Sequence, residues 1–179
     1  FFLIFASIPL IVINAGESVV FGFEFGLLYP LLFIPLGIIA TSTTFNMLAG
    51  YNGLEASQGI LILSALSVVA YKTGSPWVSV IHLSMVASLA AFYFFNKFPA
   101  KIFPGDTLTY PVGALITIAA ILGNMERIAI FFFIPYIMEV ILKVRGKLQK
   151  ESFGRLNDDG SLDEPYEKIY GLEHLAIRM

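Results

Sequence analysis

Uncharged apolar runs alternate with short polar breaks along this chain, and the runs approach the ~20 residues that an α-helix needs to cross a bilayer. Residues 1–13 are wholly uncharged but fall short of that length, so they are expected to be the end of a span whose start is missing. Residues 14–26, NAGESVVFGFEFG, read as a loop. Further runs cover residues 27–42, 59–71, 77–95, 107–123 and 128–144, for about six spans in all. Pro30 and Pro35 predict a kink in the second of them. The turns KTGSP and GNMER join the third span to the fourth and the fifth to the sixth.

Two of the breaks are polar islands. The first, TTFNMLAGYNGLEASQG from Thr43 to Gly59, sets Asn46, Asn52, Glu55 and Gln58 among glycines between two apolar runs. Such a segment cannot face lipid, where its backbone and amide groups would lack hydrogen-bond partners, so it must line water, protein or a ligand. The second, FPGDT at Phe103 to Thr107, follows two runs later. Alternating the spans puts the loops at 43–58 and 96–106 and the tail on one side of the membrane. That side holds Lys97, Lys101, Lys143, Arg145, Lys147, Lys150, Arg155, Lys168 and Arg178, against Lys72 and Arg127 on the other. Nine against two makes the island side cytoplasmic by the positive-inside rule.

Composition sharpens this reading. With 57% hydrophobic and 13% charged residues and a mean hydropathy of +0.80, the chain is too apolar for a soluble domain and reads as an integral membrane protein. A net charge of -2 conceals the sided basic residues. Zero cysteines exclude disulfides and thiolate metal sites. No Met and no basic region precede the first apolar run, so a signal peptide is a poor reading and a fragment is expected. The expected organisation is an all-α, polytopic bundle over 1–145 with cytoplasmic motif loops at 43–58 and 96–106. A cytoplasmic loop over 146–179 then leads into a truncated further helix. A lipid bilayer, not nucleic acid, is the expected environment.

Each candidate residue has a structural reading beside a chemical one. A helix ending near Gly50 would put Asn46 on its last turn and Asn52 in the following turn, which suits capping and ligand binding alike. Glu55 and Gln58 suit the start of the next span, with Ser57 as its N-cap. Asp106 before Thr107 suits an N-cap, and Pro104–Gly105 a turn. Yet Asp106 opens to the same side as Asn46, where a carboxylate and an amide oxygen could share one Mg²⁺, an ion that takes hard oxygen ligands and completes its shell with phosphates. The helix N-terminus there also favours anions. Phe103 is an interface anchor or a stacking platform for a base, and Lys97 and Lys101 are membrane anchors or phosphate contacts. Mid-span His82 is expected to have a hydrogen-bonded packing role. Glu139 is expected to face the bundle interior, pairing with Lys143 one turn on or lining the site. His174 lies in a tail that could fold over the cytoplasmic mouth.

Taken together, NMLAGYNGLEASQG and NKFPAKIFPGDTLTY resemble the two signatures of the polyprenyl-phosphate N-acetylhexosamine-1-phosphate transferases. LAGYNGLE with Ala49 is similar to the eukaryotic and archaeal branch, which makes dolichyl-linked GlcNAc. The resemblance implies a bundle of about ten helices, of which this chain would be the carboxy-terminal part. It implies transfer of GlcNAc 1-phosphate from UDP-GlcNAc to a polyprenyl or dolichyl phosphate, releasing UMP, with Mg²⁺ or in its place Mn²⁺. Such a step opens lipid-linked glycan assembly at the cytoplasmic face of an archaeal cell membrane or the endoplasmic reticulum, and a homodimer is a further expectation.

Carried over residue by residue, Asn46 and Asp106 match the Mg²⁺ positions, Asn52 the uracil contact and Phe103 the residue that packs on the uridine. Gly53, Glu55, Lys101 and His174 complete the expected substrate contacts. There are departures. Thr43 stands where relatives carry a paired Asn, and Lys150, Glu151 and Ser152 stand where eukaryotic relatives carry Arg-His-Arg. The family's Asp-rich motif and catalytic Lys belong to an amino-terminal third absent from this chain. Bacterial cell-wall precursor transferases share the family chemistry with another acceptor or sugar. A transporter would instead place polar groups at mid-membrane depth, where His82 is the main strong one. An inactive scaffold homologue is the third reading.

Overall fold

The computed structural model describes residues 2–14, 19–20 and 22–179, which form a bundle of α-helices with two small hairpins. The first apolar run is α1 (Phe2–Ile13). Part of the expected loop after it is a hairpin of β1 (Val19–Val20) and β2 (Phe23–Glu24), while residues 15–18 and 21 lie outside the described residues.

The proline-bearing span opens with a π-helical turn, Tyr29–Phe33, closed by the Ile34 N–H on the Tyr29 carbonyl. Pro35 accounts for the irregularity, because it has no N–H and its ring crowds the carbonyl four residues back. From there α2 (Ile34–Met47) runs further than expected, through Thr43, Thr44 and Asn46. The hydroxyls of Thr41 and Thr44 turn back onto the carbonyls of Gly37 (2.9 Å) and Thr41 (3.3 Å), so polar side chains stay within the helix. Its successor, α3 (Leu54–Lys72), begins earlier than expected, with Gly53 at the cap position. Ser57 is therefore not the N-cap; it lies inside the first turn with its hydroxyl on the Leu54 carbonyl, 2.9 Å away.

Next come α4 (Pro76–Asn96) and α5 (Asp106–Leu122). The expected sixth span is two helices, α6 (Glu126–Phe132) and α7 (Ile134–Arg145), broken at Phe133. Pro135 forces the break by the same loss of donor and ring clash. Among the described residues, three helical stretches are long and apolar enough to cross a membrane: Tyr29–Met47, Leu54–Lys72 and Pro76–Asn96. Leu3–Ile13 and α5 are apolar but shorter.

The helices pair as α3 with α4 and α2 with α5. At the second crossing a Cβ on Gly113 would lie 2.7 Å from both the Ser42 Cα and the Thr41 carbonyl, so the backbones touch there. Beside it the Thr41 and Thr117 hydroxyls share a 2.6 Å hydrogen bond, as small polar residues do between helices in lipid. Phe45 and Phe133 both stack on Tyr136 (centroids 5.4 and 4.8 Å), and the Tyr136 hydroxyl donates to Gln58 Oε1 at 2.9 Å. This fastens α2, α3 and α7 beneath the polar end. His82 is buried, but neither ring nitrogen has a hydrogen-bond partner, which corrects the expected hydrogen-bonded role. The tail is folded rather than a plain loop. It forms a hairpin of β3 (Arg155–Leu156) and β4 (Leu162–Asp163), then α8 (Leu172–Arg178), which seats on α7.

Candidate functional site

The two polar islands meet at one end of the bundle. Asn46 sits in the last turn of α2, and the Thr109 hydroxyl, in the first turn of α5, donates to its Oδ1 at 2.6 Å. Asp106 is one helical turn from Thr109, exposed and free of hydrogen bonds and ion pairs. The N-cap reading of Asp106 is thereby corrected: the cap position belongs to Gly105, and no side chain caps this helix. Gly105 has φ 56° and ψ −177°, a conformation essentially reserved for glycine, so Pro104–Gly105 steers the chain directly into α5.

Loop 48–53 is held from both sides. The Gly50 N–H donates to Glu55 Oε1 (2.8 Å), and the Gly53 N–H to Asn96 Oδ1 (3.1 Å). Asn96 is fully buried, and its amide nitrogen donates to the Ile102 carbonyl (2.9 Å), so one side chain ties the first island to the loop carrying the second. Sequence reasoning passed over Asn96; its signal was an amide ending a long apolar run. The other Glu55 oxygen is buried without a partner.

Between the islands lies a cavity of about 340 Å³. Asn46, Glu55, Phe103 and Thr109 contribute to its wall from the islands; Lys143, Ser152 and Phe153 do so from α7 and the tail. Phe103 is 64% exposed, a ring face available at the rim. Phe153 packs onto Gly50 so closely that a Cβ there would have no room. Of the other expected contacts, Asn52 is half-buried in the turn and outside the wall, Gly53 is occupied by Asn96, and Lys101 is exposed outside the wall. His174 is elsewhere: it is buried, its Nδ1 accepts the Tyr170 N–H (3.2 Å) and its Nε2 lies 3.0 Å from the Glu151 carbonyl. With Nδ1 accepting, Nε2 carries the proton and donates, and no ring nitrogen remains for a phosphate.

Glu139, fully buried, faces inward as expected and pairs with Lys143 at 3.3 Å; it also accepts the Leu172 N–H at 2.6 Å. Beside it lies the buried carboxyl of Glu173, with no partner on either oxygen. A Cβ on Gly171 would meet Glu173 Oε2 at 2.7 Å and Glu139 Oε1 at 3.2 Å, which places the two carboxyl groups side by side. Burial first, and then the Glu139 charge, push the Glu173 carboxyl up to about 7.

Asn46 Oδ1 keeps a second lone pair beside its bond to Thr109, and the Asp106 carboxylate is uncommitted. Among the described residues no group of three or more His, Cys, Asp or Glu side chains converges. Two hard oxygens without a cage fit an ion that takes the rest of its shell from water and phosphate.

An apolar groove of about 400 Å³ runs between α2, α5, α6 and α7, past Tyr29, Phe33, Gly37 and Phe133. It reaches Thr44, two residues from Asn46. The fold thus defines a helical membrane protein with a cavity between its two polar islands and, along the same helix α2, a separate apolar groove.

The particular family follows from sequence comparison: residues 1–124 match glycosyl transferase family 4, and the chain belongs to that family. It is 42% identical, over 98% of its length and 56% of the relative's, to a Saccharolobus solfataricus protein provisionally named UDP-N-acetylglucosamine–dolichyl-phosphate N-acetylglucosaminephosphotransferase. A Dictyostelium discoideum protein of that name is 28% identical over 78% of the chain and 43% of its own length. A phospho-N-acetylmuramoyl-pentapeptide-transferase of Clostridium botulinum is 32% identical over 62% of the chain and 35% of its own length. The chain spans about half the length of the curated relatives it matches.

Proposed function

We propose that the full-length protein containing this chain transfers N-acetylglucosamine 1-phosphate from UDP-GlcNAc to a dolichol-type polyprenyl phosphate in the membrane. The observation that carries this reading is the cavity shared by both islands, with an apolar groove that reaches Thr44, two residues along α2 from the cavity residue Asn46. A donor that is polar and an acceptor that is a phosphate on a long apolar chain need a polar and an apolar site on one bundle. The names of two archaeal relatives support the same donor and acceptor.

In this reading the acceptor lies along the groove with its phosphate near Thr44 and Asn46. An acceptor phosphate oxygen attacks the β-phosphorus of UDP-GlcNAc, the bond from that phosphorus to the α–β bridging oxygen breaks, and UMP leaves with the bond electrons. Phe103 offers its exposed face to the uracil, and Asn46 and Asp106 hold Mg²⁺, for which Mn²⁺ can substitute. When bound, the ion neutralises phosphate oxygens as charge moves to the leaving group. Thr109 donates to the Asn46 amide oxygen and so fixes the orientation of that side chain. The nine basic residues that the alternation of spans assigns to the island side, against two on the other, support a cytoplasmic site.

The test uses membranes containing the full-length protein, dolichyl phosphate and UDP-GlcNAc labelled in the sugar. Label in an organic-soluble, acid-labile lipid with release of UMP is expected. Label that remains water-soluble with every polyprenyl phosphate offered would reject the proposal.

A further inference from the structure

We propose that Lys143 is a donor-binding residue whose ammonium contacts the pyrophosphate of the UDP-sugar. The inference rests on the reading of the cavity as the donor site and adds a residue from outside both islands. Lys143 lies in the last turn of α7, and its side chain is only 14% exposed. Among the described residues forming the cavity wall it is the one cation.

The other basic residues nearby are placed elsewhere. Lys97 lies over the Phe94 ring at 5.5 Å, Lys150 over Tyr166 at 4.6 Å, and Arg178 pairs with Glu164. Lys101 and Lys147 are exposed and outside the wall. A doubly charged pyrophosphate entering this cavity would otherwise meet Glu55 and no protein cation, an arrangement that electrostatics disfavours in a partly desolvated space.

Lys143 is also held in position. Its ammonium has three N–H donors; the Ser152 hydroxyl accepts one, and Glu139 Oε1 is an ion-pair partner at 3.3 Å. Donor capacity is left for the cavity. Glu139 in turn is fully buried and fixed by the Leu172 N–H, so the stem of Lys143 is anchored through α8. Glu139 and Ser152 are positioning residues here, acting only through the lysine.

The experiment compares the full-length protein with its Lys143→Met and Lys143→Arg variants, using uridine, UDP and UDP-GlcNAc as probes in equilibrium binding and in the labelled-lipid assay. Loss of one charge-assisted hydrogen bond to an anion corresponds to about 10- to 100-fold weaker binding. Lys143→Met is expected to lose that factor for UDP and UDP-GlcNAc while binding uridine as before, and Lys143→Arg is expected to recover most of it. Equal losses for uridine and UDP would mean a structural role and overturn the proposal, as would unchanged UDP affinity in Lys143→Met. If Lys143→Met does not fold, a folded Lys143→Arg or Lys143→Gln variant decides: UDP binding equal in these two overturns the proposal, and binding retained only by Arg supports it. A wild-type protein that binds neither UDP nor uridine would remove the donor-site reading itself, whereas wild-type transfer with an unaffected Lys143→Met removes only this inference.

Discussion

The carboxyl of Glu173 makes the seating of α8 depend on pH. With the tail undocked, Glu173 is an ordinary carboxylate near 4.5; docked, burial and the neighbouring Glu139 raise it to about 7. Below 4.5 both states are protonated and docking has its full strength. Between 4.5 and about 7 only the undocked state ionises, so docking weakens steadily as pH rises, and above 7 the loss is complete. A gap of this size corresponds to about 3 kcal/mol, or on the order of 100-fold in the docking equilibrium. Glu173→Gln stays neutral throughout and supplies an N–H₂ that can donate to Glu139, so its docking should not change across this window on account of residue 173. Amide hydrogen exchange of residues 172–178 in detergent, corrected for intrinsic rates, is the assay. Protection in the wild type should fall by about that factor between pH 4.5 and 8, and in Glu173→Gln it should fall far less. Equal slopes in the two proteins would refute the reasoning, and so would an α8 that is already released at low pH in the variant.

Three further outcomes are expected in the full-length protein. Asp106 is exposed and makes no bond, so Asp106→Asn should shift stability by no more than about 1 kcal/mol through the helix dipole while lowering turnover ~100-fold and raising the Mg²⁺ requirement; normal activity at limiting Mg²⁺ would exclude a metal role. Asn96→Ala strips partners from the Gly53 N–H and the Ile102 carbonyl and should cost about 2 kcal/mol, read as a lower melting temperature together with a raised KM for UDP-GlcNAc. Gly113→Ala must push α2 from α5 and should cost about 1–3 kcal/mol, whereas Gly37→Ala in the same interface meets only the Thr117 methyl at 3.3 Å and should be much milder; equal melting temperatures for the two would contradict the close crossing.

Hydropathy was enough to place the apolar runs, because a lipid-facing helix must be apolar over most of its length whatever its neighbours are. The same reasoning cut α2 short at Ser42 and started α3 late at Gly59, since it assigns polar residues to loops. Thr44 and Asn46 stay helical because their polar groups find partners, the Thr41 carbonyl for one and Thr109 on α5 for the other. Only the first of these bonds is local enough to be anticipated. Prolines were read unevenly: Pro30 and Pro35 were tied to a kink, realised as a π turn, while Pro135 broke the sixth span unnoticed within an otherwise continuous apolar run.

The residues of the cavity wall that sequence reasoning named are those whose chemistry is contiguous, an Asn and a Glu in one island and a Phe in the other. The parts it missed owe their place to contacts between distant segments. Lys143 and Ser152 lie far from either island in the chain; α7 carries Lys143 to the cavity, and the tail, held to α7 by the Leu172 N–H on Glu139, carries Ser152 there. His174 was read as a substrate contact because its tail could fold over the cytoplasmic mouth. The fold uses it instead as a two-ended brace between Tyr170 and Glu151, immediately before Ser152 and Phe153. A residue that holds the wall and a residue that touches the ligand carry the same polar signature in sequence. They separate only when both nitrogens of the ring can be followed to their partners.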